Sequence, residues 1–194
     1  MMIVSASSEP RILDLVKIYT KAGDGGETGL FDGQRVSKAD PRVDAYGDVD
    51  ELAAWLGLVR AHRTLGDLDA MLETIQRDLL AVGALVADPR HKIAARVEKA
   101  ALQAQAVEQL ERWIDQLESE LPPLRRFLLS GGAPAGASLH VARTVCRRAE
   151  RRLVGLGADE VHPIVLTYMN RLSDLLFVMA RAANRRAGAT EVEW

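Results

Sequence analysis

The chain has 194 residues, 48% of them hydrophobic and 27% charged, with a formal net charge of −2. That length supports one sizeable core and one domain. The near-neutral balance excludes a global nucleic-acid or membrane-surface footprint, so any basic cluster is a local feature.

Residues Met1–Val16 have neither a signal peptide's apolar stretch nor the arginine-rich pattern of a transit peptide, and read as a flexible leader. Lys17–Thr20 is a short predicted strand. A glycine-rich loop follows, Thr20-Lys-Ala-Gly23-Asp-Gly25-Gly26-Glu-Thr28-Gly29. Asp40-Pro41 is an N-cap and first-turn pair. It opens a helix carrying Val49, Leu52, Ala53, Leu56 and Val59. Gly66-Asp67 restarts the chain, and Leu68, Met71, Leu72, Ile75, Leu79, Val82 and Val86 recur at helical spacing up to Asp88-Pro89. A third helix is predicted from about Ala94 to Leu121, stopped by Pro122-Pro123. Ser130–Gly136 is a loop. A fourth helix is predicted over Ala137–Leu156, and a fifth after Pro163 carries Val165, Met169, Leu172, Leu175, Leu176 and Met179. Five long amphipathic helices, few aromatics and short loops predict an all-α helical bundle. No apolar run is long enough for a membrane span. The lone Cys146 excludes an internal disulfide framework and fits a reducing, cytoplasmic compartment.

The fourth helix carries five arginines within ten residues, Arg143, Arg147, Arg148, Arg151 and Arg152. At about 100° per residue, Arg143, Arg147 and Arg151 form one stripe with Glu150 beside it, opposite Ala142, Val145, Cys146, Ala149 and Leu153. Stacked guanidiniums with one acid repel unless an anion lies over them, and polyphosphate matches their planar donors. The alternative is an exposed stripe with local ion pairs. The glycine loop is neither Walker A nor Gly-x-Gly-x-x-Gly. It offers freed amides, Lys21 and the hydroxyls of Thr20 and Thr28 to a phosphate; a plain tight turn is the competing reading. Asn170 and Asp174 share a helix face with Ser173 near them, either solvated surface or a site. Asp48, Asp50 and Glu51 suit a helix N-terminus by the macrodipole alone; functionally, one of them would orient an arginine of the stripe. His62, His91, His140 and His162 have no metal-ligand spacing. Trp55 and Trp113 read as packing residues.

In chain order, these pieces are Tyr19-Thr20-Lys21-x-Gly23-Asp24-x-Gly26-x-Thr28, Gly47-x-x-Asp50-Glu51-Leu52 and Ile75-Gln76-x-Asp78-Leu79. Then come Phe127-x-Leu-x-Gly131-Gly132, Arg143-x-x-Cys146-Arg147-Arg148-Ala149-Glu150-Arg151 and Asn170-Arg171-Leu172-Ser173-Asp174-x-Leu176-Phe177. The ordered set resembles the PduO-type ATP:cob(I)alamin adenosyltransferases over Lys17 to about Arg186. The resemblance implies a five-helix bundle domain over residues 17–187, with 188–194 as a C-terminal tail, assembled as a homotrimer with ATP at the subunit interfaces. It implies that Thr20, Lys21, Ala22, Gly23, Thr28, Lys38, Arg147, Arg148, Glu150, Arg151 and Asn170 bind ATP. Asp50 would pair with Arg143. Phe127 would lie under the corrin, with Ser173 and Asp174 also at the cobalamin. Mg²⁺ would come with the ATP phosphates. A reductase and an adenosylcobalamin-dependent mutase would be partners; nucleic acid and membrane would not. Two positions depart from the family pattern, Ser130 where proline is frequent and Asp48 where threonine or asparagine is. Both bear on corrinoid contacts more than on ATP.

The implied reaction needs no protein nucleophile. Cob(I)alamin attacks the 5′-carbon of ATP and triphosphate leaves, so the protein aligns the reactants and stabilises leaving-group charge. Phe127 below cobalt would exclude the lower axial ligand and favour four-coordinate cob(II)alamin, which is easier to reduce. A non-catalytic ATP-dependent cobalamin carrier is the alternative. It would bind ATP but form no carbon–cobalt bond. A purely structural bundle would bind no ATP at all.

Overall fold

The computed structural model describes residues 19, 21–62, 65–90 and 101–194. A small antiparallel hairpin, β1 (Glu27–Gly29) with β2 (Arg35–Ser37), sets Thr28 opposite Val36. Five helices follow: α1 (Pro41–Arg60), α2 (Leu68–Val86), α3 (Ala104–Glu118), α4 (Pro134–Gly155) and α5 (Pro163–Arg186). Helix α5 packs against α4 and α3, while α1 packs against α2 and α4.

The local chemistry explains the boundaries. Asp40 is extended and its carboxylate accepts from Arg42 N at 2.8 Å, with Pro41 in the first turn. Prolines also open α4 and α5, and His162 Nδ1 accepts from Ile164 N at 3.3 Å, which makes His162 a helix cap. Helix α4 begins three residues earlier than the sequence suggested, because Pro134 has the backbone angle a first turn needs and no amide to satisfy there. The third helix departs further from expectation. It starts at Ala104, not Ala94, and ends at Glu118. Gln103 before it is extended (φ −90°, ψ 152°), so Leu102 enters the core from outside the helix. Residues 91–100, the first part of that prediction, lie outside the described residues, as do the flexible-leader reading of 1–16 and the Lys17–Thr20 strand apart from Tyr19, which is in no strand.

Ala142, Val145, Cys146, Ala149 and Leu153 are all buried on one face of α4, against Tyr168, Met169, Leu172, Leu176 and Met179 of α5. Each fully buried large side chain contributes about 1.5–3 kcal/mol of transfer free energy. Trp55 and Trp113 pack against this core. Two polar pairs join helices at the core: Tyr168 Oη donates to Asp78 Oδ2 at 2.9 Å, and Gln76 Nε2 donates to Ala53 O at 2.8 Å. Burial pushes both the Tyr168 hydroxyl and the Asp78 carboxyl up, and the hydrogen bond from Tyr168 partly offsets the rise at Asp78. Arg42 clasps the end of the bundle, donating to Val86 O at 2.9 Å and to Glu160 Oε2 at 2.5 Å.

Candidate active site

Two cationic half-sites are built on opposite kinds of scaffold. The first is the glycine loop, which the hairpin closes. Asp24 N donates to Lys21 O and Gly26 N to Gly23 O, and Lys38 N donates to Gly26 O at 2.8 Å. Lys21 holds a left-handed φ of 59°, costly for a residue with a Cβ. Arg35 Nη2 pins Ala22 O at 2.9 Å. The Lys38 ammonium lies over Gly23, where a Cβ would come within 3.1 Å of Nζ. The amides of Gly23 and Gly25 donate to no other described residue. Free amides with Lys21 and Lys38 beside them make an anion cradle. Thr20 lies outside the described residues, and Thr28 is held within the β1–β2 ladder.

The second half-site is on α4. Arg147, Glu150, Arg151 and Val154 line a pocket of about 300 Å³ with Asn170 of α5. Asn170 Nδ2 donates to Glu150 Oε1 at 3.2 Å, and Arg151 Nη1 donates to Arg147 O at 2.9 Å. The Arg147 guanidinium has no hydrogen bond or ion pair among the described residues. One turn earlier, Arg143 Nε is buried without a hydrogen-bond partner. Burial, then the neighbouring Arg147 charge, pushes the Arg143 guanidinium below its ordinary pKa. Two adjacent cations, one of them partly desolvated, leave this face short of negative charge.

No residue of the glycine loop lines the α4 pocket. The arginines also divide. Arg148 faces α1 instead of the pocket, with Nε 3.2 Å from Asp48 Oδ2 and Nη2 bonded to Glu51. Arg152 pairs with Asp44 at 3.2 Å. So Asp48 and Glu51 orient Arg148, not the Arg143–Arg147–Arg151 stripe. Asp50 is exposed, makes no ion pair among the described residues, and lines a groove of about 370 Å³ with Phe31, Tyr46, Leu79 and Leu80. Arg143 and Asp50 are therefore not brought together within one chain; among the described residues Asp50 has no ion pair and Arg143 Nε no hydrogen-bond partner.

The residues expected at the cobalamin are also spread out. Ser173 is 3% exposed and its hydroxyl donates to Asn170 O at 2.9 Å. Asp174 accepts from Arg171 Nη1 at 3.2 Å. Phe127 lies on the loop between α3 and α4 and is 79% exposed. Cys146 is fully buried, its Sγ donates to Met169 O at 3.4 Å, and burial pushes the thiol far up, so it is no nucleophile.

The family model for cobalamin adenosyltransferases matches residues 18–183. A cobalamin adenosyltransferase of Cupriavidus metallidurans is 45% identical over 182 residues, covering 93% of this chain and 95% of the relative. The chain belongs to the cobalamin adenosyltransferase family. A corrinoid adenosyltransferase of Bacillus subtilis is 42% identical, with 92% of each chain covered. Among solved structures, a phenylalanine-to-alanine variant of the Lactobacillus reuteri PduO-type ATP:corrinoid adenosyltransferase, complexed with cobalamin and ATP, superposes with a TM-score of 0.85. It is 39% identical, with 92% of this chain and 99% of that chain covered. An arginine-to-lysine variant of that enzyme, complexed with ATP, gives 0.83 at 38% identity, over 91% and 99% of the two chains. The five-helix arrangement found here is the fold of this family.

The sequence reading gave no role to Arg42, Tyr168, Arg181 and Asn184, which tie the bundle and the loop before α4 together. Arg181 had a visible signal, since it interrupts an otherwise apolar run from Leu175 to Ala183, which Asn184 ends.

Proposed function

We propose that this protein transfers the 5′-deoxyadenosyl group of ATP to the cobalt of cob(I)alamin, giving adenosylcobalamin and triphosphate. The observation that carries this reading is the α4 pocket, with Arg147 unpaired and Arg143 Nε buried without a partner, in a chain of this family. The cobalt(I) electron pair forms the bond to C5′, and the C5′–oxygen bond breaks with its electrons going to triphosphate. No side chain gives or takes a proton. What the protein supplies is alignment and stabilisation of charge on the leaving group. Arg147, Arg151, Lys21, Lys38 and the loop amides suit that task, with Asn170 holding Glu150 in place.

The site is completed between subunits of a homotrimer. In support, the loop cradle and the arginine pocket are separate within one chain, and among the described residues Asp50 has no ion pair and Arg143 Nε no hydrogen-bond partner. Pairing Asp50 of one protomer with Arg143 of the next would supply both, and would seat Thr20, Ala22, Gly23 and Thr28 over the triphosphate. Arg148 then acts by bracing α4 on α1 beside the nucleotide.

Among the described residues, no group of three or more histidines, cysteines or acids could hold a metal ion. Mg²⁺ would be carried on the triphosphate, with Glu150 as the acid in the pocket, and would neutralise charge on the leaving group. Phe127 serves the second substrate, its exposed ring placed against the lower face of the corrin with Ser173 and Asp174 further along the site. Reducing cob(II)alamin needs an external one-electron donor, so a reductase is a partner, and a mutase that uses adenosylcobalamin consumes the product. No described helix is long and apolar enough to cross a membrane, and the thiol is free, which suits a cytoplasmic setting.

The test is an anaerobic absorbance assay with ATP, Mg²⁺ and chemically reduced cobalamin. Adenosylcobalamin should appear with equimolar triphosphate. ATP binding with no adenosylcobalamin would instead make the protein a cobalamin carrier.

A further inference from the structure

The loop over residues 122–133 carries Phe127, and three separate devices fix it. At its start, Arg181 Nη2 donates to Pro122 O at 3.0 Å. At its end, Asn184 Oδ1 accepts from Ala133 N and Asn184 Nδ2 donates to Gly131 O, both at 2.9 Å. At its middle, the C-terminal segment runs antiparallel to it. Leu129 N donates to Val192 O at 2.8 Å, Trp194 N donates to Phe127 O at 2.9 Å, and Leu128 bridges Glu193.

Arg181 and Asn184 stand one turn apart on α5, 5% and 2% exposed. A guanidinium buried that deeply requires an anion, because its lost hydration is otherwise uncompensated. Glu191 of the C-terminal segment provides it, with Arg181 Nε 3.1 and 3.2 Å from its two carboxylate oxygens. One buried side chain thus ties together the loop and the segment that pairs with it. This apparatus holds up a phenylalanine that is itself 79% exposed. Burial of Phe127 cannot be what fixes its place; the backbone on either side is.

We propose that Arg181 is a positioning residue for Phe127, acting through Glu191 and the C-terminal segment 190–194 that bridges the loop at Leu128. The inference rests on the reading of Phe127 as the residue facing the corrin. An aromatic ring displaces a cobalt ligand only if it occupies one place, and a loop free to move would lose that advantage to ordering entropy. With the segment paired, the loop is ordered before cobalamin arrives.

Glu191→Ala in the full chain is the test, beside Phe127→Ala. Spectra with ATP and cob(II)alamin should show the four-coordinate fraction falling at least threefold in Glu191→Ala. Turnover from cob(II)alamin with an external reductant should fall by a similar factor, with KM for ATP within twofold of wild type. Glu191→Asp, which keeps the charge, should recover most of the loss. Hydrogen exchange at the Leu129 amide should rise in Glu191→Ala, which verifies that the segment has loosened while the bundle stays folded. A raised exchange rate with an unchanged four-coordinate fraction overturns the proposal if Phe127→Ala still lowers that fraction. An unchanged fraction in Phe127→Ala itself overturns the reading of Phe127 beneath it.

Discussion

At the scale of single residues, the decisive fact about Arg147 is its lack of a partner. Arg148 and Arg152, its neighbours on α4, are neutralised by Asp44, Asp48 and Glu51, so they can be read as braces between α1 and α4. Arg147→Ala should leave the fold intact, because its side chain touches pocket and solvent. It should cost one charge-assisted contact to phosphate, about 1.5–3 kcal/mol or roughly 10- to 150-fold in kcat/KM for ATP. Unchanged kinetics would remove Arg147 from the nucleotide site. His140 tests a different property. It is 4% exposed, its Nδ1 has no hydrogen-bond partner, and burial first, then the Arg143 charge, holds its pKa below 6.5. A histidine with a lowered folded-state pKa binds fewer protons folded than unfolded. Its contribution to stability is therefore complete above 6.5 and lost as pH falls below that value, towards its folded-state pKa. The thermal midpoint should drop between about pH 7.5 and 5.5, and His140→Gln should flatten that part of the curve. An identical slope in the variant would place the pH dependence elsewhere.

At the scale of elements, α4 packs against α5, and Gly136 of α4 lies against Asn184 of α5 with no room for a side chain. A Cβ there would fall on the Asn184 side chain, which is already committed to Gly131 and Ala133. Gly136→Ala should therefore destabilise by about 1–3 kcal/mol through overpacking, read as a lower urea midpoint at unchanged slope. It should also loosen the Phe127 loop, since Asn184 must give way. This glycine shows where legibility ended. Helices α1, α2, α4 and α5 could be read from the 3.6-residue recurrence of Leu, Val and Ile and from Asp40-Pro41 and Pro163, because periodicity and caps are local signals. The start of α3 could not, because an apolar Leu102 in an extended segment looks the same as one on a helix. The hairpin was hidden too, since three-residue strands are shorter than any window in which alternation can be recognised. The stripe of Arg143, Arg147 and Arg151 was visible as geometry. That Arg148 turns to Asp48 and Glu51 was not, for it depends on which helix lies alongside. Gly136, Arg181 and Asn184 make their contacts with elements far apart in sequence, and no local pattern tells what those partners are.

At the scale of the whole molecule, the separation of loop and pocket turns the proposed site into a question of assembly. If each site takes its glycine loop from one protomer and its arginine helix from the next, the interface is heterologous and closes into a ring of three. Defects on the two sides of that interface then complement. Lys21→Ala damages only the loop half, and Arg147→Ala only the helix half, so each homotrimer should be nearly inactive. After the two variants are mixed in equal amounts and their subunits exchanged, a site is intact when an Arg147→Ala protomer contributes the loop and a Lys21→Ala protomer the helix. Random assembly places an unaltered loop in half the sites and an unaltered helix independently in half, so roughly a quarter of the sites should be whole. Activity of the mixture should rise from near zero to roughly a quarter of wild type as exchange proceeds, with ATP binding recovering in step. Were loop and helix of the same chain to form the site, every site would keep one lesion and mixing would restore nothing. That result would require the glycine loop to move onto its own α4, since none of its residues lines that pocket in this structure.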